Sequence, residues 1–308
     1  MKRIAVIDLG TNTFHLLITE TGDTIVPGNI CKETIPVKLG EGGINQGLIN
    51  PEAFQRGIRA IERFAELISL HQVSDVKAMA TAAIRSASNG HDFISAIKDR
   101  TGIEVEVIDG DKEAGLIYAG VREAVHLSAE TSLIMDIGGG SVEFILCNAA
   151  EVFWQKSYPM GAAKMMDQFH HSDPISIHDI DQITAHLDAM LPELFLECSK
   201  HPPEMLIGSA GAFETFEELV RRRFMGNEEM SANPAKEIDL QHFALVAADL
   251  MHSTHEQRST MKGLIPLRVD MIIVATIITE YMIRQLAVKR LILSDYSLKE
   301  GILFNLLS

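Results

Sequence analysis

The chain has 308 residues, a length at which one hydrophobic core usually gives way to two domains. Apolar residues make up 46% of it, enough to fill real cores, and the formal net charge is −15. Because a surface this acidic repels a phosphate backbone, we do not expect the protein to bind nucleic-acid polymers. Three scattered cysteines offer neither a metal-binding pair nor a disulfide framework.

Targeting and membrane signals are weak in this sequence. The apolar run after the first residues is too short for a secretory signal. The most apolar window, 271–283, is shorter than a membrane span and contains Glu280, which indicates a buried helix. We therefore expect a cytoplasmic protein that does not bind membranes.

The first half begins with a strand, a glycine turn and a second strand over residues 6–18. Residues 50–71 place apolar side chains at helical spacing, with Asn50 as N-cap and Pro51 at the first helical position. Alternation of these element types is typical of α/β domains.

Residues 76–90 predict a strand that leads into a loop, and residues 103–110 predict another strand. A helix is expected from about Asp111, with Asp111 as its N-cap. The domain boundary is placed near 124–130.

The second half repeats the pattern. Residues 134–146 predict a hairpin, and residues 204–220 and 289–307 each predict a strand, a turn and a helix. Residues 223–241 are expected to form the most mobile loop.

The two predicted hairpins are copies of one another. "VIDLGTNTFHLLI" (6–18) aligns without gaps on "IMDIGGGSVEFIL" (134–146). The matched polar and glycine positions are Asp8 with Asp136, Gly10 with Gly138, Thr13 with Ser141, and His15 with Glu143. Two copies of one hairpin predict two domains of the same core topology that face each other.

The glycine turns predict an anion site. A dinucleotide fingerprint fails because Glu143 stands where its third glycine belongs, and no P-loop lysine motif occurs. Successive backbone N–H groups at a glycine turn bind anions, and an aspartate beside them can hold magnesium. Two such turns predict a cleft that binds a chain of phosphates and performs phosphoryl transfer by positioning and charge neutralisation.

Seven segments in order resemble the exopolyphosphatase / guanosine pentaphosphate phosphatase family, within the superfamily of sugar kinases, Hsp70 and actin. They are "IDLGTNTFHLL", "VKLGEGG", "ATAAIRSASN", "GDKEAGLIYAGV", "MDIGGGSVEF", "YPMGAAKM" and "SDYSLKEGIL". The resemblance implies an α/β fold of two ribonuclease H-like (actin-like ATPase) domains with a cleft between them. It implies domains at 1–124 and 125–308, with the last helix, about 297–308, packing back at the hinge.

The resemblance also implies roles for residues. Glu113 would be the base that activates water, although a carboxylate in a first helical turn is also favoured by the helix dipole. Glu143 would place metal or water, and Arg85, in a loop reaching the cleft, would clamp phosphate. His15 is left outside the site.

The predicted ligands form two sets. The expected metal ligands, for Mg²⁺ or another divalent cation, are Asp136, Asp8 and Glu143. The expected phosphate-binding residues are Gly10, Thr11, Asn12, Thr13, Arg85, Gly138, Gly139, Gly140, Ser141, Gly208, Ser209, Gly211 and Arg268. The family's hydroxyl-rich loop is replaced here by "GSAGA" (208–212), which puts contacts from that loop in question.

The expected activity is Mg²⁺-dependent hydrolysis of the terminal phosphate of inorganic polyphosphate by a homodimer. The alternative is hydrolysis of the 5′-terminal phosphate of guanosine pentaphosphate, and more distant ones are a superfamily kinase or a non-hydrolytic sensor. Longer family members continue with a helical extension where this chain ends, which predicts a preference for shorter phosphate chains.

Overall fold

A computed structural model describes residues 2–21, 28–226 and 232–307 of the chain. The strands are β1 Lys2–Leu9, β2 Thr13–Thr21, β3 Gly28–Pro36, β4 Asp75–Ala80, β5 Val105–Val107, β6 Ser132–Ile137, β7 Val142–Cys147, β8 Val152–Tyr158, β9 Met205–Ser209, β10 Ala235–Ile238 and β11 Arg290–Ser294. The α-helices are α1 Pro51–Leu70, α2 Ala82–Ser86, α3 Gly90–Thr101, α4 Gly110–Ala124, α5 Ala162–Phe169, α6 Ile177–Met190, α7 Pro192–Lys200, α8 Ala210–Phe224, α9 Leu240–His252, α10 His255–Ser259, α11 Met271–Leu286 and α12 Leu298–Leu307. A 3-10 helix lies at Ile44–Gln46.

The strands form two sheets with the same core topology. The first has the order β3-β2-β1-β4-β5, and the second has the order β10-β11-β9-β6-β7-β8. In both, the opening hairpin is antiparallel and its first strand pairs in parallel with a later one, β1 with β4 and β6 with β9. The duplication predicted from the sequence is therefore confirmed.

The hairpin register matches the aligned repeat. Asp8 pairs with His15 across the first hairpin, and Asp136 pairs with Glu143 across the second. Since strands that pair in parallel carry their carboxyl ends at one edge, both aspartates lie at the edge where an α/β sheet opens to ligands.

Two predicted helices are found as expected. Asn50 is the N-cap of α1 and Pro51 follows it, while α1 buries its apolar stripe, including Ile61 and Phe64. The apolar window within 271–283 lies in α11, which is buried along most of its length. None of the helices in the described part of the chain is both long and apolar enough to cross a membrane.

A central core joins the two halves of the chain, which we take as residues before and after 124–125. It contains Ile4 and Val6 from the first sheet, Ile134 and Ile145 from the second, and Ile302 of α12. Each sheet also has a separate core on its outer face. The boundary at 124–125 itself stays a prediction.

Helix α12 returns to the first half of the chain and packs against α4 and β1. The two helices approach so closely that a methyl group on Gly301 would lie 1.8 Å from the carbonyl oxygen of Leu116. One on Gly120 would lie 2.3 Å from the carbonyl oxygen of Ser297. Glycine is therefore required on both helices at this contact.

Three local predictions were wrong. Residues 82–86, expected in a loop, form the short helix α2, because a single turn gives no periodic signal. The N-cap of α4 is Asp109 rather than Asp111, since the Asp109 carboxylate accepts a hydrogen bond from the Lys112 amide at 2.8 Å. Within the expected loop 223–241, residues 227–231 lie outside the described chain and 235–238 form β10.

Candidate active site

The two glycine turns share one backbone geometry. The amide of Gly10 donates to the carbonyl oxygen of Thr13 at 3.1 Å, and that of Gly138 donates to the carbonyl oxygen of Ser141 at 3.0 Å. A glycine amide and the hydroxyl residue three positions later thus close each turn. Successive backbone amides at a turn of this kind can bind an anion.

The first turn, from the first half of the chain, lies close to the second turn, from the second half. A methyl group on Gly139 would lie 2.3 Å from Nδ2 of Asn12, and one on Gly140 would lie 2.9 Å from Oγ1 of Thr11. The Asn12 amide also lies 3.0 Å from Sδ of Met271. Only glycine leaves room for this approach, so the glycines of the second turn bring the two hairpins together.

A cavity of about 170 Å³ lies at the turns and is lined by both halves of the chain. Most of the predicted site residues line this cavity. The predicted residues that line it are Asp8, Gly10, Thr11, Asn12, Thr13, Glu113, Asp136, Gly138, Gly139, Gly140, Ser141, Glu143, Gly211 and Arg268.

Arg85 does not line this cavity. It lies on α2, and its Nη1 is 2.8 Å from Oε2 of Glu113 and 2.9 Å from the carbonyl oxygen of Ile108. It lines a second cavity, which Gly140 also lines. The arginine therefore reaches the predicted base rather than the interior of the main cavity.

Gly208 and Ser209 also lie outside the lining. A methyl group on Gly208 would lie 2.0 Å from the ring of Phe213, so this glycine allows α8 to pack on β9. The buried hydroxyl of Ser209 donates to Oδ2 of Asp136 at 2.5 Å. The hydroxyl that the "GSAGA" loop retains thus orients a carboxylate.

Four acidic residues converge on the cavity, and burial raises the pKa of each. The pKa of Asp8 is raised to about 7 by burial and then by the negative charge of Glu113. Burial also raises the pKa of Glu113 to about 7, against the opposing hydrogen bond from Arg85. For Asp136 the cause is again burial. Glu143, whose pKa is raised well above its ordinary range, is affected by burial and then by Glu113 and Asp136.

The carboxylate oxygens at the cavity are ligands that a hard divalent cation prefers, but those of the described residues do not form a complete set of protein ligands. Oδ1 of Asp8 is buried and has no hydrogen-bond partner in the described part of the chain, which leaves it free for a cation. Among the described residues, however, no three His, Cys, Asp or Glu side chains form a closed metal site. A magnesium ion keeps several waters and substrate oxygens, so one or two carboxylates such as Asp8 and Asp136 suffice.

His15, left outside the site by the sequence analysis, lines the cavity. Its Nε2 lies 2.8 Å from Oγ1 of Thr13, and its Nδ1 lies 3.0 Å from Oγ1 of Thr34. Burial, followed by the charge of Lys299, lowers the pKa of His15 to about 3, so the ring is neutral. Its alignment with Glu143 was the signal that could have identified it.

Two further charged residues at the cavity were missed. Lys299 lies in the first turn of α12, and its Nζ is 3.2 Å from Oε2 of Glu300. Burial opposes its charge, but Glu300, Glu214 and Asp8 together raise the pKa of Lys299. Glu214 on α8 pairs with Arg268 at 2.9 Å. Only the segment "SDYSLKEGIL" pointed to Lys299, and nothing in the sequence pointed to Glu214.

Known proteins with similar sequences are phosphatases by name. Residues 18–308 match the model of the Ppx/GppA phosphatase family. Exopolyphosphatase 2 of Mycobacterium tuberculosis is 28% identical over 329 residues, covering 99% of both proteins. Exopolyphosphatase 1 of Mycobacterium bovis is 27% identical over 310 residues, covering 98% of this chain and 88% of that protein.

Solved structures show the same architecture. An exopolyphosphatase from Cytophaga hutchinsonii is 38% identical with a TM-score of 0.96, covering 99% of this chain and 98% of that one. A Ppx/GppA family member from Aquifex aeolicus has a TM-score of 0.80 at 24% identity, covering 99% and 97%, and supports the fold alone. The α/β fold built on two sheets of the same topology is thereby confirmed. With its family model matched from residue 18 to residue 308, the chain belongs to the Ppx/GppA phosphatase family and is a phosphatase.

Proposed function

We propose that the protein is an exopolyphosphatase that removes the terminal phosphoryl group of inorganic polyphosphate with a divalent cation bound. The observation that carries this proposal is Glu113, a carboxylate with a pKa raised to about 7 that lines a cavity between two glycine turns. A general base works best when its pKa lies near the working pH.

Glu113 accepts a proton from a water molecule, whose oxygen forms a bond to the terminal phosphorus. The bond from that phosphorus to the bridging oxygen breaks, and the shortened chain leaves with the electron pair. Backbone amides of Gly139 and Gly140 and the hydroxyl of Ser141 stabilise the charge on the phosphoryl oxygens. Arg85 holds the Glu113 carboxylate in place through its contact at 2.8 Å.

Asp8 and Asp136, with Glu143 behind them, would hold Mg²⁺. The bound ion would neutralise charge on the phosphate oxygens and reduce repulsion from the surrounding carboxylates. The unpartnered Oδ1 of Asp8 supports this assignment.

A nucleotide substrate has less support. No Phe, Tyr or Trp is found among the described residues that line either cavity, so the only aromatic ring there that a guanine base could stack on is the small imidazole of His15. This composition favours an inorganic chain over guanosine pentaphosphate.

Phosphate release from polyphosphate and from guanosine pentaphosphate, assayed in parallel with and without Mg²⁺, tests the proposal. We expect Mg²⁺-dependent release that is faster from polyphosphate. Preferential release from the nucleotide would contradict the substrate assignment. ADP formation from ATP with an acceptor would indicate a kinase, and tight binding without turnover would indicate a sensor.

A further inference from the structure

A second cavity, of about 220 Å³, lies against the main one. Both cavities are lined by Ala82 of the first half and by Gly140 and Ser141 of the second. The second cavity therefore adjoins the same glycine turn. Its remaining lining includes Arg85 and Lys164, one from each half.

The two cavities differ in charge. Five carboxylates line the main cavity, against the cations Arg268 and Lys299. The described lining of the second cavity has Arg85 and Lys164 and no carboxylate. In a protein with a net charge of −15, a cavity whose described lining has cations as its only charged residues is a local site for anions.

The position of Lys164 is fixed from both halves of the chain. Its amide donates to the carbonyl oxygen of Gly139 at 3.1 Å. Its carbonyl oxygen accepts from Nδ2 of Asn45 at 3.1 Å, and the same Nδ2 is 2.7 Å from Oδ2 of Asp167. Within the described chain, no carboxylate lies close enough to form an ion pair with the Lys164 ammonium, which is therefore available to a ligand.

The phosphate chain carries negative charge along its whole length, and the carboxylates of the main cavity that are ionised and not neutralised by a cation repel it. We propose that the second cavity binds the phosphates behind the terminal one, and that Lys164 is a substrate-binding residue for them. This inference rests on the proposed function. The terminal phosphate then lies at Gly140 and Ser141, between the two cavities, and Arg85 lies beside it in contact with Glu113.

The test compares Lys164→Gln with Lys289→Gln. Lys289 is 68% exposed and is paired with Glu204. Lys289→Gln removes the same positive charge as Lys164→Gln, but from a residue that lines neither cavity. Steady-state kinetics on long-chain polyphosphate give kcat and KM separately. A charge-assisted contact is worth enough that we expect KM to rise about 10-fold or more in Lys164→Gln, with kcat nearly unchanged.

A conservative variant and an independent variant make the test sharper. Lys164→Arg should recover most of the lost affinity because it keeps the positive charge. Ser86→Asp places a carboxylate in the lining of the second cavity, and we expect it to raise KM, while Ser86→Asn does not. Equilibrium binding of long-chain polyphosphate to Glu113→Gln, with and without Lys164→Gln, should show the same loss without turnover.

The outcomes separate the two proposals. If the unmodified protein releases phosphate from polyphosphate but folded Lys164→Gln has an unchanged KM, the inference is wrong and the proposed function stands. A fall in kcat alone would also overturn it, because Lys164 would then not bind the ground state. If the unmodified protein releases no phosphate from polyphosphate, the proposed function is wrong.

Discussion

Glu113 owes its raised pKa to burial, and Arg85 limits the rise. The carboxylate is 8% exposed and receives its hydrogen bond from an arginine that is 26% exposed. Asp8, Asp136 and Glu143 face it with like charge. The result is a base that is protonated at acid pH and ionises near neutrality.

Glu113→Gln should reduce kcat by about 10² to 10⁴, the usual contribution of a general base, because the amide cannot accept the proton of water. Gln keeps an oxygen for the Arg85 hydrogen bond, so the fold should be intact by circular dichroism. Glu66→Gln, on the exposed face of α1, is the control and should be unaffected. Near-normal release by folded Glu113→Gln would remove the residue from the mechanism.

The pH dependence follows from the same groups. Only ionised Glu113 accepts a proton, so kcat/KM should rise with pH through a midpoint near 7. Because Arg85 lowers the pKa of Glu113, Arg85→Met should move this midpoint to higher pH. The profile of Arg100→Met, which loses a surface ion pair with Glu62, should not move. An unshifted midpoint in Arg85→Met would contradict the electrostatic role.

The sequence predicted those residues whose backbone position decides their role. Asp8 and Asp136 follow from the repeat, because a residue at the end of a paired strand lies at a fixed place on the sheet edge. Arg85 and Ser209 were assigned to phosphate, yet the described structure directs them to Glu113 and Asp136. The direction of a side chain depends on packing partners far away in the chain, which no local pattern contains.

Among elements, α4 and α12 form the tightest contact described above, and it depends on glycine. Gly120→Ala should destabilise the protein by about 1–3 kcal/mol, because the methyl group would force the helices apart. Gly115→Ala, on the same helix, is the matched control. The nearest atom to its new methyl group is Nε2 of Gln155 at 3.8 Å, so it should be neutral or stabilise the helix by up to about 1 kcal/mol.

Denaturant unfolding of the two variants measures this difference. Equal stability of Gly120→Ala and Gly115→Ala would mean that α12 moves away from α4 without cost.

Three long helices were predicted and two short elements were missed, while α3, α6 and α9, of 12, 14 and 13 residues, received no prediction. Helices α1, α4 and α11 have enough turns to show their apolar period, whereas α2 and β10 have five and four residues. The N-cap of α4 was predicted two residues too late, at Asp111, because Asp109 and Asp111 are equally suitable from composition alone. Only the backbone geometry at Asp109 distinguishes them.

At the scale of the whole molecule, a cation between Asp8 and Asp136 would tie the two halves together. Mg²⁺ should therefore raise the thermal midpoint of unfolding. By linkage, it should increase the free energy of unfolding by about 2.7 kcal/mol when its concentration is a hundred times its dissociation constant. Asp136→Asn should lose most of this gain, and Asp75→Asn, whose partner is Lys2 at the surface, should keep it. Equal stabilisation of both variants, with EDTA as the blank, would place the cation elsewhere.

The facing arrangement of two similar sheets could be predicted because the hairpin repeat is visible in the sequence. The second cavity could not be predicted from the sequence. Arg85 and Lys164 lie far apart in the chain, and only folding brings both to the cavity that Gly140 also lines.

The central core also dictates an order of folding. Ile4 and Val6 are synthesised well before Ile292, Ile302 and Leu303, with which they share the central core. Until α12 has been made, the first sheet leaves apolar surface uncovered, and such surface promotes aggregation. Folding of the first half during synthesis therefore stays incomplete until α12 has been made, and the two halves depend on each other for stability.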